Sequence, residues 1–480
     1  MTIIPLKNRT HGEPPRRLSW LWWLLLSAVM LATGLVFSPQ QIDTRLWSRQ
    51  EIWGIDRALI RRTLGPEIDQ NRYPEKISVF QDGAGYDAMV EYTIDPDLQT
   101  AVATVFEKYN PDYAAFIALD PETGEILALV NHQRQGIQNE NLAVRATYPA
   151  ASVFKIITAA AVLDLDKATP ATVIPFNGKT TSLYKKNVLR HKDTQWTRRY
   201  PLSKTFAKSV NTVFARLGIF SVGPVKLRDY GKAFGFNQNL DTDFALAPSR
   251  LTFNDDDPWS IAETASGYTR STTLSPVHGA AIAAVAVNGG RLVTPSLVRK
   301  IVNDDGLILY TLDPSGGAPV VREETARNLQ VLMRETVSKG SASASFKKFA
   351  RNDMRAVDVG GKTGSLTGEN PKGRYDWFVG YAKKDGRKLA FAVMCINKEF
   401  WYVKSAYVAR KAVEYVFRDS GENSYRDQCN QHGVRRCNNT LTSSAGFLSL
   451  VTESPTGPVS IPSRPSTLTI RSTCDWDFHF

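Results

Sequence analysis

Cysteine is scarce in this chain, and most of it lies at one end. Of four cysteines, Cys429, Cys437 and Cys474 fall in the last sixth of the sequence, which leaves Cys395 alone in the body. No Cys-x-x-Cys pair occurs, and in the body of the chain no histidine joins Cys395 at zinc-ligand spacing. That excludes a zinc ribbon and a dithiol redox centre. Cys395 sits in the apolar run 389–396 and reads as a buried small hydrophobe. Acidic residues are also in deficit, with 47 Asp and Glu against 59 Lys and Arg, for a net charge of +12. The surplus cations are spread along the chain and build no recognisable nucleic-acid module, so nucleic acid is not an expected partner. A basic balance suits an anionic surface or polymer, such as anionic lipid or a cell wall. Internal repeats are absent.

One long charge-free stretch is present. Residues 18–37 read LSWLWWLLLSAVMLATGLVF, a run of 20 residues. About 20 apolar residues at a helical rise span the hydrocarbon core of a bilayer. Lys7, Arg9, Arg16 and Arg17 precede it. The positive-inside rule then keeps residues 1–17 cytoplasmic and everything after the run outside. The run is long for a signal peptide, and no A-x-A-like cleavage site follows, so an uncleaved single transmembrane helix is expected. Residues 38–90 read as a juxtamembrane stalk that holds a basic helix over 47–64. The tail 419–480 is rich in Ser, Thr, Pro and Asn without periodicity and reads as disordered.

The region between carries alternating strand and helix patterns. AMVEYTIDP is a strand that ends at Pro96, and LQTAVATVFEKY has helical spacing. YAAFIALDPETGEILALVNH reads as a hairpin about the turn 120–124. Residues 150–166 form an apolar helix, 167–320 are helical and looped, and 323–338 form another helix. Three strand-like runs follow between 357 and 396, then a closing helix over 403–417. The order predicts an α+β fold: an antiparallel sheet flanked by helices, with a helical subdomain. The expected domain spans 91–418.

Three short motifs occur along it. Ser152-Val-Phe-Lys155 opens the apolar helix, Ser209-Val-Asn211 lies in the helical insert, and Lys362-Thr363-Gly364-Ser365 lies on a strand-like run. A serine hydroxyl is a weak nucleophile and needs a base. At i and i+3 on a helix, Ser152 and Lys155 share a face. A lysine acts as a base only when neutral, and burial or a nearby cation such as Lys362 lowers its pKa. Ser209 offers a second hydroxyl for proton relay, and Asn211 an amide that can pair with a peptide backbone. Lys362, Thr363 and Ser365 offer a cation and two hydroxyls for a carboxylate, and Gly364 lets a substrate approach the strand. SxxK arises by chance on the order of once or twice in such a chain. It recurs here at Ser182 to Lys185 and Ser345 to Lys348. Only Ser152 opens a long apolar helix ahead of the other two motifs.

The three motifs in this order resemble the penicillin-binding protein and serine β-lactamase superfamily. The segments TIDPDLQTAV, AAFIALDPETGEILALV, NGGRLVTPSLV and GGKTGS look like transpeptidase-domain segments of high-molecular-weight penicillin-binding proteins. The resemblance implies a β-lactamase/transpeptidase-like fold and acyl transfer on the D-Ala-D-Ala end of peptidoglycan stem peptides, with β-lactams as inhibitors. It implies Ser152 as nucleophile, Lys155 as base and Ser209 as proton shuttle. Asn211 would hold the donor peptide, and Lys362, Thr363 and Ser365 the terminal carboxylate. The backbone N–H groups of Ser152 and Ser365 would form the oxyanion hole. The strand reads KTGS where the family usually carries KTGT, which keeps the hydroxyl. No metal and no organic cofactor is implied. Fewer than 100 residues precede the resembling region, so a monofunctional enzyme with a separate glycan-polymerising partner is expected. A D-Ala-D-Ala carboxypeptidase, a β-lactamase and a β-lactam-sensing receptor remain alternatives. The Glu-x-x-x-Asn loop of one β-lactamase class is not visible, and a receptor would carry a larger cytoplasmic or multi-span portion.

Overall fold

A computed structural model describes residues 55–418 apart from 82–83, 137–139, 315 and 350–351. The apolar run 18–37, the first part of the expected basic helix and the tail 419–480 lie outside the described residues. Among the described residues no helix is long and apolar enough to cross a membrane.

In chain order the main elements are α1 (Arg57–Asp69), β1 (Lys76–Gln81), β2 (Ala84–Tyr92), α2 (Pro96–Tyr109), β3 (Tyr113–Leu119) and β4 (Ile126–Gln133). The insert carries α3 (Lys155–Asp164), α4 (Leu202–Ala207), α5 (Asn211–Arg216), α6 (Gly223–Ala233), α7 (Pro258–Ser266) and α8 (Pro276–Ala284). Then come β5 (Val298–Asn303), β6 (Ile308–Thr311), α9 (Glu323–Ser338), β7 (Asp358–Glu369), β8 (Lys372–Lys384), β9 (Arg387–Asn397) and α10 (Ser405–Phe417).

The central sheet has five strands in the order β7-β8-β9-β3-β4, all antiparallel. Both of its faces are covered, so its inner strands read as unbroken apolar runs. Strand alternation sorts their side chains. Leu389, Phe391, Val393 and Cys395 pack with Phe106 of α2 and Val408 of α10. Ala390, Ala392, Met394 and Ile396 join the core that holds α3 and α8 on the opposite face. Cys395 is fully buried, as its apolar run implies. The termini of α2 follow its sequence: Asp95 accepts from the N–H groups of Asp97 and Leu98 at 3.0 and 3.1 Å, and Pro96 occupies the first turn. The hairpin about 120–124 and the helix 323–338 form where the sequence places them.

The stalk expectation is corrected by the structure. Residues 55–92 fold into the body of the domain. Strands β1 and β2 join β5 and β6 in a second antiparallel sheet of four strands, ordered β1-β2-β5-β6. The helix in this region runs from Arg57 to Asp69, and Ile60, Leu64 and Ile68 insert into the main core. Its basic face also has a partner: Arg61 Nη1 lies 3.1 Å from Asp241 Oδ1. The sequence conceals this because β2 pairs with β5 about two hundred residues away, for example Val90 with Ile301. The alternation of a short strand does not reveal its distant partner.

Ile68 is fully buried, and truncating such a side chain costs about 2–5 kcal/mol. Ile68→Ala is therefore expected to lower the urea midpoint of the whole domain. Tryptophan fluorescence during urea unfolding checks this; a stalk residue would leave the midpoint unchanged.

Candidate active site

Ser152 lies on a 3₁₀ turn, Ala151–Phe154, that runs directly into α3. The α-helix thus begins at Lys155, one turn later than the apolar pattern suggests. In a 3₁₀ turn residues i and i+3 stand one above the other. Lys155 Nζ accordingly lies 2.9 Å from Ser152 Oγ. Two glycines let other segments press on the turn. Gly267 sits at φ +64°, and any Cβ there would run into the carbonyl of Ala151. A Cβ at Gly364 would come within 3.2 Å of Val153 Cγ2 and 3.4 Å of Ala151 Cβ. Ala151 itself adopts φ +48° and Ser209 φ +55°. Such left-handed non-glycine residues cost on the order of 1–3 kcal/mol and persist where packing holds them.

Lys155 is completely buried. Its Nζ has three partners. One is Ser152 Oγ, another is Asn211 Oδ1 at 2.8 Å, and the third is the carbonyl of Ser266. The orientation of Asn211 is fixed from behind, because its Nδ2 donates to the Thr181 carbonyl at 2.8 Å and its backbone N–H to the Thr180 carbonyl at 2.9 Å. Its oxygen therefore faces Lys155. A neutral amine has two N–H bonds and one lone pair. The two carbonyl oxygens take the two hydrogens, and the lone pair is left facing the serine hydroxyl. The electrostatics agree. Burial holds Lys155 well below the usual lysine range, and the charge of Lys362 lowers it further.

Lys362 is buried as well, over the ring of Phe206 at 5.4 Å, and its Nζ donates to the Thr363 carbonyl at 3.0 Å. Burial lowers it to about 7. Strand alternation turns Thr363 and Ser365 the other way. Thr363 Oγ1 lies 2.6 Å from Ser341 Oγ.

These groups border one cavity of about 390 Å³. Ser152, Ser209, Asn211, Thr363, Gly364 and Ser365 line it. Lys155 and Lys362 lie behind the lining, so they reach it through hydrogen bonds and charge. Seven further positions on its wall or behind it lie outside the three motifs. The Ser266, Thr180 and Thr181 groups act through backbone carbonyls, which leave no trace in residue type. Ser341 and Ser345 come from the Gly/Ser-rich segment after α9, and Ser345 belongs to an SxxK set aside on position. Asp376 pairs across the strands with Ser365 and accepts from the Ser405 N–H at 2.7 Å, so it caps α10. Lys404, 3.7 Å from Asp376, completes that side. Among the described residues no group of His, Cys, Asp and Glu is arranged to hold a metal ion.

Residues 114–419 match the penicillin binding protein transpeptidase domain family. Stage V sporulation protein D of Bacillus subtilis is 27% identical over 362 residues, which cover 69% of this chain and 53% of that protein. The chain thus spans about half the length of that relative. Peptidoglycan D,D-transpeptidase PbpA of Mycobacterium tuberculosis is 29% identical over 347 residues, 64% of this chain and 67% of that one. The crystal structure of PBPA from Mycobacterium tuberculosis superposes with a TM-score of 0.57 at 26% identity, over 68% of this chain and 82% of that one. An imipenem acyl-enzyme complex of penicillin-binding protein A from the same organism gives 0.57 at 26% identity, over 70% and 81%.

The buried lysine at 362 has a consequence for stability. Its pKa is about 7 in the folded chain against 10.5 for an unperturbed lysine. Between these values the unfolded chain holds a proton that the folded one lacks, so stability rises with pH across that window. The penalty is full below about pH 7 and is relieved toward 10.5, at about 1.4 kcal/mol per unit. Lys362→Met keeps an apolar stem and removes the titration. The variant is expected to exceed wild type by ~3 kcal/mol or more near pH 6 and to lose that advantage near pH 10. Urea titrations at the two pH values check both the sign and the trend.

Proposed function

Because the chain belongs to the penicillin-binding protein transpeptidase family, we propose that it cross-links peptidoglycan through a serine acyl-enzyme on Ser152. The observation that carries this reading is the fully buried Lys155 Nζ 2.9 Å from Ser152 Oγ, where burial and the charge of Lys362 favour the neutral amine that can take the hydroxyl proton.

Lys155 takes the Ser152 proton as Oγ attacks the carbonyl carbon of the penultimate D-Ala. The developing oxyanion meets the backbone N–H groups of Ser152 and Ser365, two residues that line the cavity. The Thr363 and Ser365 hydroxyls receive the terminal carboxylate, and Lys362 adds positive charge from behind the strand. Gly364 keeps the strand open to a peptide backbone, and Asn211 borders the donor's path. When the C–N bond breaks, the proton passes by way of Ser209 to the departing D-Ala amine. An acceptor amine then attacks the acyl-enzyme and loses its proton to Lys155, which passes it to Ser152 Oγ as the ester C–O bond breaks and the new peptide bond forms. β-Lactams enter the same sequence and stop at the acyl-enzyme.

The charge-free run 18–37 behind four basic residues supports an uncleaved anchor with the catalytic domain outside the cytoplasm. A separate glycan-polymerising partner protein belongs to the same proposal.

Peptide mass mapping after treatment with penicillin tests the acyl-enzyme. One adduct is expected, on the peptide that contains Ser152, and none on Ser152→Ala. A full-occupancy adduct on the variant would move the nucleophile elsewhere, with Ser345 the first place to look.

A further inference from the structure

The lobe beside the cavity has a charge that the acyl-transfer chemistry does not use. Two short strands, Val173–Phe176 and Arg198–Pro201, pair as a hairpin whose connection meets Asn211 at Thr180 and Thr181. Residues 177–208 contain nine lysines and arginines and a single acidic residue, Asp193. Asp193 is already engaged by Arg199 and His191. Eight of the nine cations are exposed, among them Lys179, Lys186, Arg190 and Lys192. Like charges at this density repel one another, and a surface that keeps them produces a field directed at an anion. Two large aromatics stand among them in solvent, Trp196 at 80% exposure and Tyr184 at 61%. Exposed aromatics of this size mark a contact surface, since each has a broad apolar face and a polar edge.

The lobe is continuous with the cavity. Thr181 and Lys208, near its two ends, both line it, and the Thr180 and Thr181 carbonyls hold Asn211 in place. Both ends of the lobe therefore reach the cavity wall.

We propose that the lobe 173–208 is a docking surface for the peptidoglycan strand itself, beyond the D-Ala-D-Ala end that enters the cavity. Stem-peptide carboxylates meet the lysines and arginines, and the apolar faces of the sugar rings stack on Trp196 and Tyr184. This rests on the acyl-enzyme reading above only for the identity of the polymer. Continuity with the cavity favours the substrate strand over a lipid surface, which would need no access to Ser152.

The test is co-sedimentation of the full-length protein with purified peptidoglycan sacculi. The protein is first acylated with penicillin, so that the cavity is already filled. Wild type is expected to bind and to be released as salt rises, because exposed charges are screened. Lys186→Glu, Arg190→Glu and Lys192→Glu combined are expected to weaken binding roughly ten-fold or more. Trp196→Ala, which leaves every charge in place, is expected to weaken it about five-fold. Penicillin acylation of both variants stays within about two-fold of wild type, since the altered groups are exposed and outside the cavity lining. Sacculus binding by the triple variant equal to wild type would overturn the proposal. So would a triple variant that loses binding to phosphatidylglycerol vesicles alone, which would mark a membrane-facing surface. Wild type that takes up no penicillin would defeat the acyl-enzyme reading, while its sacculus binding would still be read separately.

Discussion

The site depends on how one buried nitrogen is satisfied. Lys155 Nζ is surrounded by two carbonyl oxygens and one hydroxyl, a set that accommodates either an ammonium or an amine, so burial and the charge of Lys362 are what favour the amine. A charged ammonium would have three hydrogens to place and no lone pair, and the third would have to go to the oxygen it is meant to activate. Each wall of the cavity contributes to this arrangement. The 3₁₀ turn sets the Ser152–Lys155 separation, α7 ends so that Ser266 offers its carbonyl, and the Thr180 and Thr181 carbonyls fix Asn211 from behind. Gly267 and Gly364 allow α7 and β7 close enough to hold the turn.

The second lysine acts through the first. Lys362 lies on the face of β7 that looks inward, and its charge makes protonation of Lys155 harder. Its own burial opposes folding at neutral pH. A core selected for stability alone would place a methionine or leucine there. The site therefore combines a less stable fold with a lysine whose charged form is disfavoured, a compromise common where groups need shifted pKa values.

Local patterns made much of this legible. The alternation in KLAFAVMCI, the turn residues at 120–124 and the periodicity of 323–338 each depend on neighbours in sequence, and each formed as read. The motif residues converge on one cavity because SxxK, SxN and KTG carry their chemistry in side chains. The same alternation, applied to KTGS, already separates Lys362 from Thr363 and Ser365. Two kinds of information were out of reach. One was the pairing of β2 with β5, which is nonlocal and turned an expected stalk into a folded sheet. The other was the set of carbonyls at Thr180, Thr181 and Ser266, since every residue has a carbonyl and only the fold decides that the first two hold Asn211 and the third meets Lys155.

The protonation state of Lys155 tests the central claim most directly. With ¹⁵N-lysine labelling, and Lys155→Met to assign the resonance, the Nζ chemical shift can be followed against pH in the free enzyme. The account predicts a neutral amine at pH 7.5, which takes up its proton only at lower pH, and a titration that moves upward in Lys362→Met. An ammonium that persists to about pH 10, as an unperturbed lysine would, would contradict it and leave Ser152 without its base.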